Sequence, residues 1–351
     1  MSRFFSEKYR ALTPYTPGEQ PQERQYIKLN TNESPFPPSP YAQRLAREAA
    51  GDLQLYSDPE CRQLVRTAAG VLGVDEGELL FTNGSDEILN FAMMAFCDAD
   101  HPAVFPDVTY GFYPVIAALN GVPVRTIPLR EDFTIRVEDY VGLAGATVFL
   151  ANPNAPTGIA LPLADVERIV AGSPDSVVVV DEAYVDFGAE SALGLIGKYE
   201  NLLVAQTFSK SRSLAGGRLG FGAACPALIA DLNTIKYSTN PYNVNRMTMA
   251  AGVGALIDGD YFKANCAAIE RNRAWTTEQL RRLGFEVLES RANFVFARRA
   301  GVSGQQLYLD LKERGILVRH FETERLRDYN RITIGSAEQM RALIDTLEAM
   351  L

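Results

Sequence analysis

Val177-Val178-Val179-Val180 is a run with no polar face, closed by Asp181-Glu182. A strand half-exposed on one side alternates apolar and polar residues, whereas an unbroken β-branched run fits a strand covered on both faces. The run therefore calls for a mainly parallel sheet with helices packed on each side. Similar short runs recur upstream and downstream: Leu79–Thr82, Ala103–Phe105, Val122–Ile127, Thr147–Ala151, Leu202–Thr207 and Leu219–Ala223. Helical patterns separate them, and strands alternating with helices predict an α/β doubly wound layer of seven strands.

The rest of the 351 residues suits a second unit. Residues 259–351 begin with a long charged helix at 260–282. They continue with strands Phe285–Leu288, Asn293–Ala297, Ile316–Arg319 and Tyr329–Ile334 and helices Gly304–Arg314 and Ala337–Leu351, a smaller α+β domain. Residues 1–40 carry Pro14, Pro17, Pro21, Pro35, Pro37, Pro38 and Pro40. Such a segment resists helix and strand and predicts an extended arm laid over a protein surface, with the start of the small domain in it. The large domain then runs from 41 to 258.

Charge and composition narrow the function. A net charge of −9 argues against nucleic-acid binding. No apolar run spans a membrane, and Met1–Lys8 is too polar for a signal peptide, so a cytoplasmic protein is expected. Cys61, Cys97, Cys225 and Cys266 lack metal-ligand or redox spacing, and His101 and His320 are the only histidines, so no metal site is expected.

Open α/β sheets bind ligands beyond the carboxyl ends of their strands, where the polar residues of this chain gather. Asn83-Gly84-Ser85-Asp86-Glu87 follows Leu79–Thr82 and opens a helix; Ser85 and Asp86 are expected to cap it, leaving an anion site at its amides. Asn152-Pro153-Asn154-Ala155-Pro156 is a rigid turn after Thr147–Ala151. Asp181 and Tyr184 end the valine strand; a carboxylate there needs a partner. Leu202–Thr207 leads into Ser209-Lys210-Ser211, with Arg218 beyond a glycine-containing turn. A lysine among hydroxyls with a following arginine suits an amine that condenses with an aldehyde whose phosphate is anchored nearby. An ordinary capped helix, a plain loop, a buried structural aspartate or a surface lysine would each explain one of these features. Their order, each at a strand end, is what favours a site.

This order resembles the fold-type-I pyridoxal-phosphate aminotransferases over nearly the whole chain. The likeness rests on Leu29-Asn30-Thr31-Asn32-Glu33-Ser34-Pro35, Tyr56-Ser57-Asp58-Pro59, Asn83–Glu87, Thr109-Tyr110-Gly111-Phe112-Tyr113, Asn152-Pro153-Asn154, Asp181–Tyr184, the lysine segment and Arg331-Ile332-Thr333-Ile334-Gly335. Gly217, where a larger apolar residue is usual, and Val108, where a proline is common, depart from the pattern.

The resemblance implies pyridoxal 5'-phosphate as cofactor and assigns roles. Lys210 is the amine that joins the cofactor aldehyde, Asp181 the partner of the pyridinium nitrogen, and Asn154 and Tyr184 the partners of the phenolic oxygen. Tyr110 stacks on the ring. Ser85, Asp86, Ser209, Ser211 and Arg218 hold the phosphate, with Tyr56 reaching it from a second subunit of a homodimer. Arg331 receives the substrate's anionic group, with Tyr15 and Tyr242 beside it and Arg319 as a second cation. His320 is expected to be structural. The donor implied is L-histidinol phosphate and the acceptor 2-oxoglutarate, in histidine biosynthesis. An aromatic amino-acid aminotransferase or a threonine-phosphate decarboxylase on the same scaffold are the alternatives, and a cofactor-binding regulatory domain is a third, disfavoured by the acidic charge.

Overall fold

Every residue of the valine strand except Val177 is buried, and its neighbours alternate between two cores. Val178 and Val180 enter one apolar cluster, while Val179 enters another on the opposite face. Leu202 and Val204 against Leu203 and Ala205, and Val148 and Leu150 against Phe149 and Ala151, split the same way. Each such buried side chain contributes about 1.5–3 kcal/mol of transfer free energy, so both faces of the sheet act as core.

The computed structural model describes residues 2–351. Its strands are β1 (Ile27–Lys28), β2 (Leu79–Thr82), β3 (Ala103–Pro106), β4 (Val124–Ile127), β5 (Thr147–Ala151), β6 (Val177–Asp181) and β7 (Leu202–Thr207). They continue as β8 (Gly220–Ala224), β9 (Phe285–Val287), β10 (Phe294–Arg299), β11 (Ile316–Leu317), β12 (Arg319–His320) and β13 (Asn330–Thr333). The α-helices are α1 (Pro40–Ala49), α2 (Arg62–Leu72), α3 (Ser85–Phe96), α4 (Tyr113–Asn120) and α5 (Leu163–Gly172). After them come α6 (Pro226–Thr239), α7 (Arg246–Ile257), α8 (Gly259–Arg282), α9 (Gly304–Glu313) and α10 (Ala337–Met350).

The seven-stranded sheet has the order β2-β8-β7-β6-β5-β3-β4, with β8 alone antiparallel to its neighbours. Going along the chain, β4 lies on one side of β3 and β5 on the other, so the direction of winding reverses at β3. That reversal opens the crevice in which such sheets hold ligands.

A four-stranded antiparallel sheet, β12-β13-β10-β9, packs with α8, α9 and α10 around a third core that includes Phe294, Leu307, Ile332 and Leu343. Here the structure corrects one expectation. Ile316–Arg319 is not a single strand: Ile316 and Leu317 pair in parallel with Ile27 and Lys28, whereas Arg319 and His320 join the antiparallel sheet through Arg331 and Asn330. The arm thus holds a strand, and it lies across this unit. Glu19 binds Lys312 and Tyr308, and Arg24 donates to the Glu313 carbonyl at 2.7 Å. No helix among the described residues is long and apolar enough to cross a membrane.

Candidate active site

The carboxyl ends of β2, β3, β5, β6 and β7 deliver Ser85, Tyr110, Asn154, Asp181 and Lys210 to one region. Glycine makes its floor possible. Gly84 sits at φ +82°, a left-handed conformation that turns the chain from β2 into α3. A Cβ on Gly84 would lie 2.6 Å from Arg218 Nη2, and one on Gly220 would lie 2.4 Å from the Ser85 amide nitrogen. The start of β8 and the Arg218 guanidinium therefore press directly against the first turn of α3. The first amides of a helix have no acceptor within it, so this cradle offers N–H donors and a cation together.

The capping expected of Ser85 and Asp86 is not what forms. Gly84 occupies the N-cap and Ser85 is already the first helical residue, so neither side chain caps the helix. Glu87 instead accepts from the Asn83 amide at 2.6 Å. Asp86 looks elsewhere: Oδ1 accepts the Tyr110 hydroxyl at 3.0 Å, and Oδ2 lies 3.4 Å from Arg218 Nη2. Ser209 is buried in the same region, its Oγ 3.0 Å from Thr207 Oγ1. Ser211 is drawn off differently. Its hydroxyl donates to Asp186 Oδ2 at 2.5 Å, which ties the loop after Lys210 to the turn after Tyr184.

Lys210 Nζ donates to the Thr31 carbonyl at 3.2 Å and lies 5.9 Å from the centre of the Tyr184 ring. Among the described residues no carboxylate forms an ion pair with it. Burial, and then the charge of Arg331, bring its pKa down to about 8. Asp181 is 4% exposed. Burial raises its pKa to about 6, against the pull of a hydrogen bond from Tyr113 and one from the Ala183 amide. Ala151 and Ala205 flank Asp181 in the sheet, so small neighbours leave room around the carboxylate.

Two further residues end in unpartnered atoms. Asn154 Nδ2 donates to the Val108 carbonyl at 3.1 Å and to Thr157 Oγ1 at 3.0 Å, while its Oδ1 is buried with no hydrogen-bond partner among the described residues. Arg331 donates from Nη2 to the Asn30 carbonyl at 3.0 Å, and its Nε is buried with none. The Arg331 guanidinium lies 5.3 Å from the centre of Phe294 and 5.7 Å from that of Phe321, and no carboxylate pairs with it among the described residues.

The remaining expected residues separate into two groups. Tyr15 sits edge-on to Tyr110 at 6.3 Å and to Phe112 at 5.7 Å, over the mouth of the site. Arg319 donates to the Thr16 and Pro17 carbonyls at 3.2 and 3.3 Å, holding the arm in place there. Tyr56 and Tyr242, by contrast, stack on each other at 4.6 Å and are 79% and 45% exposed. Among the described residues no hydrogen bond or ring contact joins that stack to Lys210.

Sequence reading quoted Tyr113, Asn32 and Thr333 inside motifs but gave them no role. Tyr113 is fully buried and its hydroxyl donates to Asp181 at 2.9 Å. Asn32 takes a left-handed φ of +56°, and its Nδ2 donates to the Tyr184 hydroxyl at 3.0 Å. Thr333 accepts from the Asn32 amide and donates to its Oδ1, both at 3.0 Å. The Thr109–Tyr113 and Leu29–Pro35 segments were visible as motifs, but only the fold shows which atoms they reach.

A helix start beside a guanidinium, a buried carboxylate with no ion pair, an amine of lowered pKa and a buried guanidinium with no carboxylate partner thus gather, among the described residues, at these strand ends. The sequence family described as Aminotransferase class I and II matches residues 24–347, and the chain belongs to it. The class is thus that of the pyridoxal-phosphate-dependent aminotransferases. Within it, the histidinol-phosphate aminotransferase of Brachyspira hyodysenteriae is 45% identical over 350 residues, covering 99% of both chains. The histidinol-phosphate aminotransferase of Marinomonas sp. is 47% identical over the full length of both. The crystal structure of histidinol-phosphate aminotransferase from Sinorhizobium meliloti in complex with pyridoxal-5'-phosphate shares the fold at a TM-score of 0.88 and 24% identity, covering 100% of this chain and 99% of that one.

Proposed function

We propose that this chain transfers the amino group of L-histidinol phosphate to 2-oxoglutarate, yielding imidazole acetol phosphate and glutamate in histidine biosynthesis. The observation that carries the reading is the pair of buried, uncompensated charges, Asp181 and Arg331, within electrostatic reach of Lys210. The full-length likeness to histidinol-phosphate aminotransferases supports the choice of donor.

When bound, pyridoxal 5'-phosphate supplies an aldehyde that condenses with amines and a protonated ring that stabilises negative charge on the adjoining carbon. The α3 amides at Ser85 and Asp86, with Ser209 and Arg218, hold its phosphate. Ser211 acts at one remove, by fixing the Lys210 loop through Asp186. Asp181 would pair with the ring nitrogen, Asn154 and Tyr184 would bond the phenolic oxygen, and Tyr110 would pack against the ring. Lys210, with a pKa near that of a working base, takes the proton from the donor's α-carbon and gives one back. Arg331 binds the donor's phosphate in one half-reaction and the acceptor's carboxylate in the other, since a guanidinium fork fits either anion. Arg319 adds a second positive charge, and Tyr15 shields the donor from water.

Tyr56 and Tyr242 serve a neighbouring copy in this reading. Both are exposed and stacked, beside the exposed Leu53 and Leu55, an apolar surface suited to a homodimer with shared sites. We read the chain as residues 1–40, 41–258 and 259–351, the first bonded to the second through Thr31 and Asn32 and to the third through Ile27 and Arg24. Four free cysteines fit a reducing, cytoplasmic setting.

The testing experiment compares histidinol phosphate, phenylalanine and threonine phosphate as substrates with 2-oxoglutarate as acceptor. Glutamate formed fastest from histidinol phosphate supports the proposal. Preference for phenylalanine, or carbon dioxide release from threonine phosphate, overturns it.

A further inference from the structure

Asp181 is the most enclosed charge in the site, and the question is what keeps it an anion. Each carboxylate oxygen takes one hydrogen bond from the chain: Oδ1 from the Ala183 amide at 3.2 Å and Oδ2 from the Tyr113 hydroxyl at 2.9 Å. The titratable groups that act on it are Asp86 and Lys210, with Tyr110 and Tyr184 nearby and Tyr113 in contact. Asp86 opposes the charge and Lys210 favours it. The Ala183 donor is neutral backbone at the longer distance. Tyr113 is the shorter, better-placed partner: its side chain is fully buried, and among the described residues its hydroxyl has Asp181 as its one hydrogen-bond partner. Burial and the Asp181 charge push the Tyr113 pKa far above its usual value, so the phenol stays a donor at every working pH. Its ring is wedged among Phe105, Tyr110 and Phe149 at 5.6–5.7 Å, which fixes the hydroxyl's position.

We propose that Tyr113 is a positioning residue that holds Asp181 ionised and oriented to receive a protonated heteroaromatic nitrogen. This rests on the reading of Asp181 as the partner of the cofactor's ring nitrogen. A charge-assisted hydrogen bond of this kind favours the carboxylate over the carboxylic acid. Without it Asp181 takes up a proton at higher pH and presents a neutral group to a cation. One lone pair on each Asp181 oxygen remains for that cation.

The test is the affinity of the cofactor-free protein for pyridoxal 5'-phosphate, measured by calorimetry from about pH 6 to about pH 9 in wild type, Tyr113→Phe and Asp181→Asn. Comparing variants at one pH cancels the ligand's own titrations and that of Lys210. A rise of about one unit in the Asp181 pKa makes Tyr113→Phe about fivefold weaker than wild type at pH 6 and equal to it at pH 9. A deficit of the same size at every pH, or none at all, overturns the proposal. If Tyr113→Phe does not fold, 3-fluorotyrosine at position 113, a stronger donor, must move the affinity curve to lower pH, and an unmoved curve overturns the proposal. Asp181→Asn separates the two claims. If it binds as tightly as wild type, the cofactor reading of Asp181 is wrong; if it binds weakly while Tyr113→Phe matches wild type, only the role of Tyr113 is lost.

Discussion

Asn32 Nδ2 donates to the Tyr184 hydroxyl at 3.0 Å, across 152 residues of chain. That bond ties the N-terminal arm to the end of the valine strand. Thr333 bonds both the backbone and the side chain of Asn32, and Asn293 Nδ2 donates to its carbonyl at 3.0 Å. Asn32 is 1% exposed, so these bonds have no competing water. One side chain thus joins the arm, the small sheet through β13 and the Lys210 region.

Asn32→Ala removes this junction and places a β-carbon residue without a compensating side-chain bond at φ +56°. The expected loss is about 2 kcal/mol of stability, from unmade buried hydrogen bonds. Urea unfolding checks it; a change under about 0.5 kcal/mol contradicts the junction.

Gly220→Ala puts a methyl group 2.4 Å from the Ser85 amide nitrogen, so the start of α3 must move away from β8. Since those amides are proposed to hold the phosphate, affinity for pyridoxal 5'-phosphate is expected to fall at least about tenfold. Equilibrium dialysis measures it. Unaltered affinity means that the phosphate sits elsewhere.

Glu182 gives a pH prediction. It is 2% exposed and accepts from Ser191, Gln206 and the Ala192 amide, yet burial raises its pKa to about 7. A carboxyl whose folded pKa exceeds its unfolded value binds protons more tightly when folded. Its contribution to stability is then largest at low pH and falls as pH rises from about 4.5 through about 7. Glu182→Gln cannot titrate, so the melting temperature of wild type minus that of the variant should shrink between those limits, in cofactor-free protein. A difference that grows with pH contradicts the sign.

Tyr56→Ser breaks the exposed stack with Tyr242. If that surface is a dimer interface, sedimentation should show a tenfold or greater rise in the dissociation constant, consistent with loss of a central aromatic contact of about 1.5–2 kcal/mol. Unchanged association places the interface on another face.

The sequence disclosed the large sheet more fully than the small one. Leu79–Thr82, Thr147–Ala151, Val177–Asp181 and Leu202–Thr207 form as strands over the spans their apolar runs mark, because each run is bounded by residues that leave the sheet. Ile316–Arg319 failed as one strand because its halves pair with different, distant segments, and nothing local separates Leu317 from Arg319. In the site, residue types announced themselves and their bonds did not. Tyr113 stands in the Thr109–Tyr113 motif, but its hydroxyl's target is 68 residues away. Ser85 reads as an N-cap, but Gly84 takes the turn first. Ser211 reads as a phosphate ligand, and nothing local announces that its hydroxyl donates to Asp186.

Whether Lys210 is the amine at the heart of the site is tested by reducing the pyridoxal-phosphate-loaded protein with borohydride and locating the attached pyridoxyl group by peptide mass mapping. The group should be found on Lys210 and on no other lysine, and Lys210→Ala should lose both the label and the visible absorption band. A label on another lysine, or a visible band that persists in Lys210→Ala, would contradict the account.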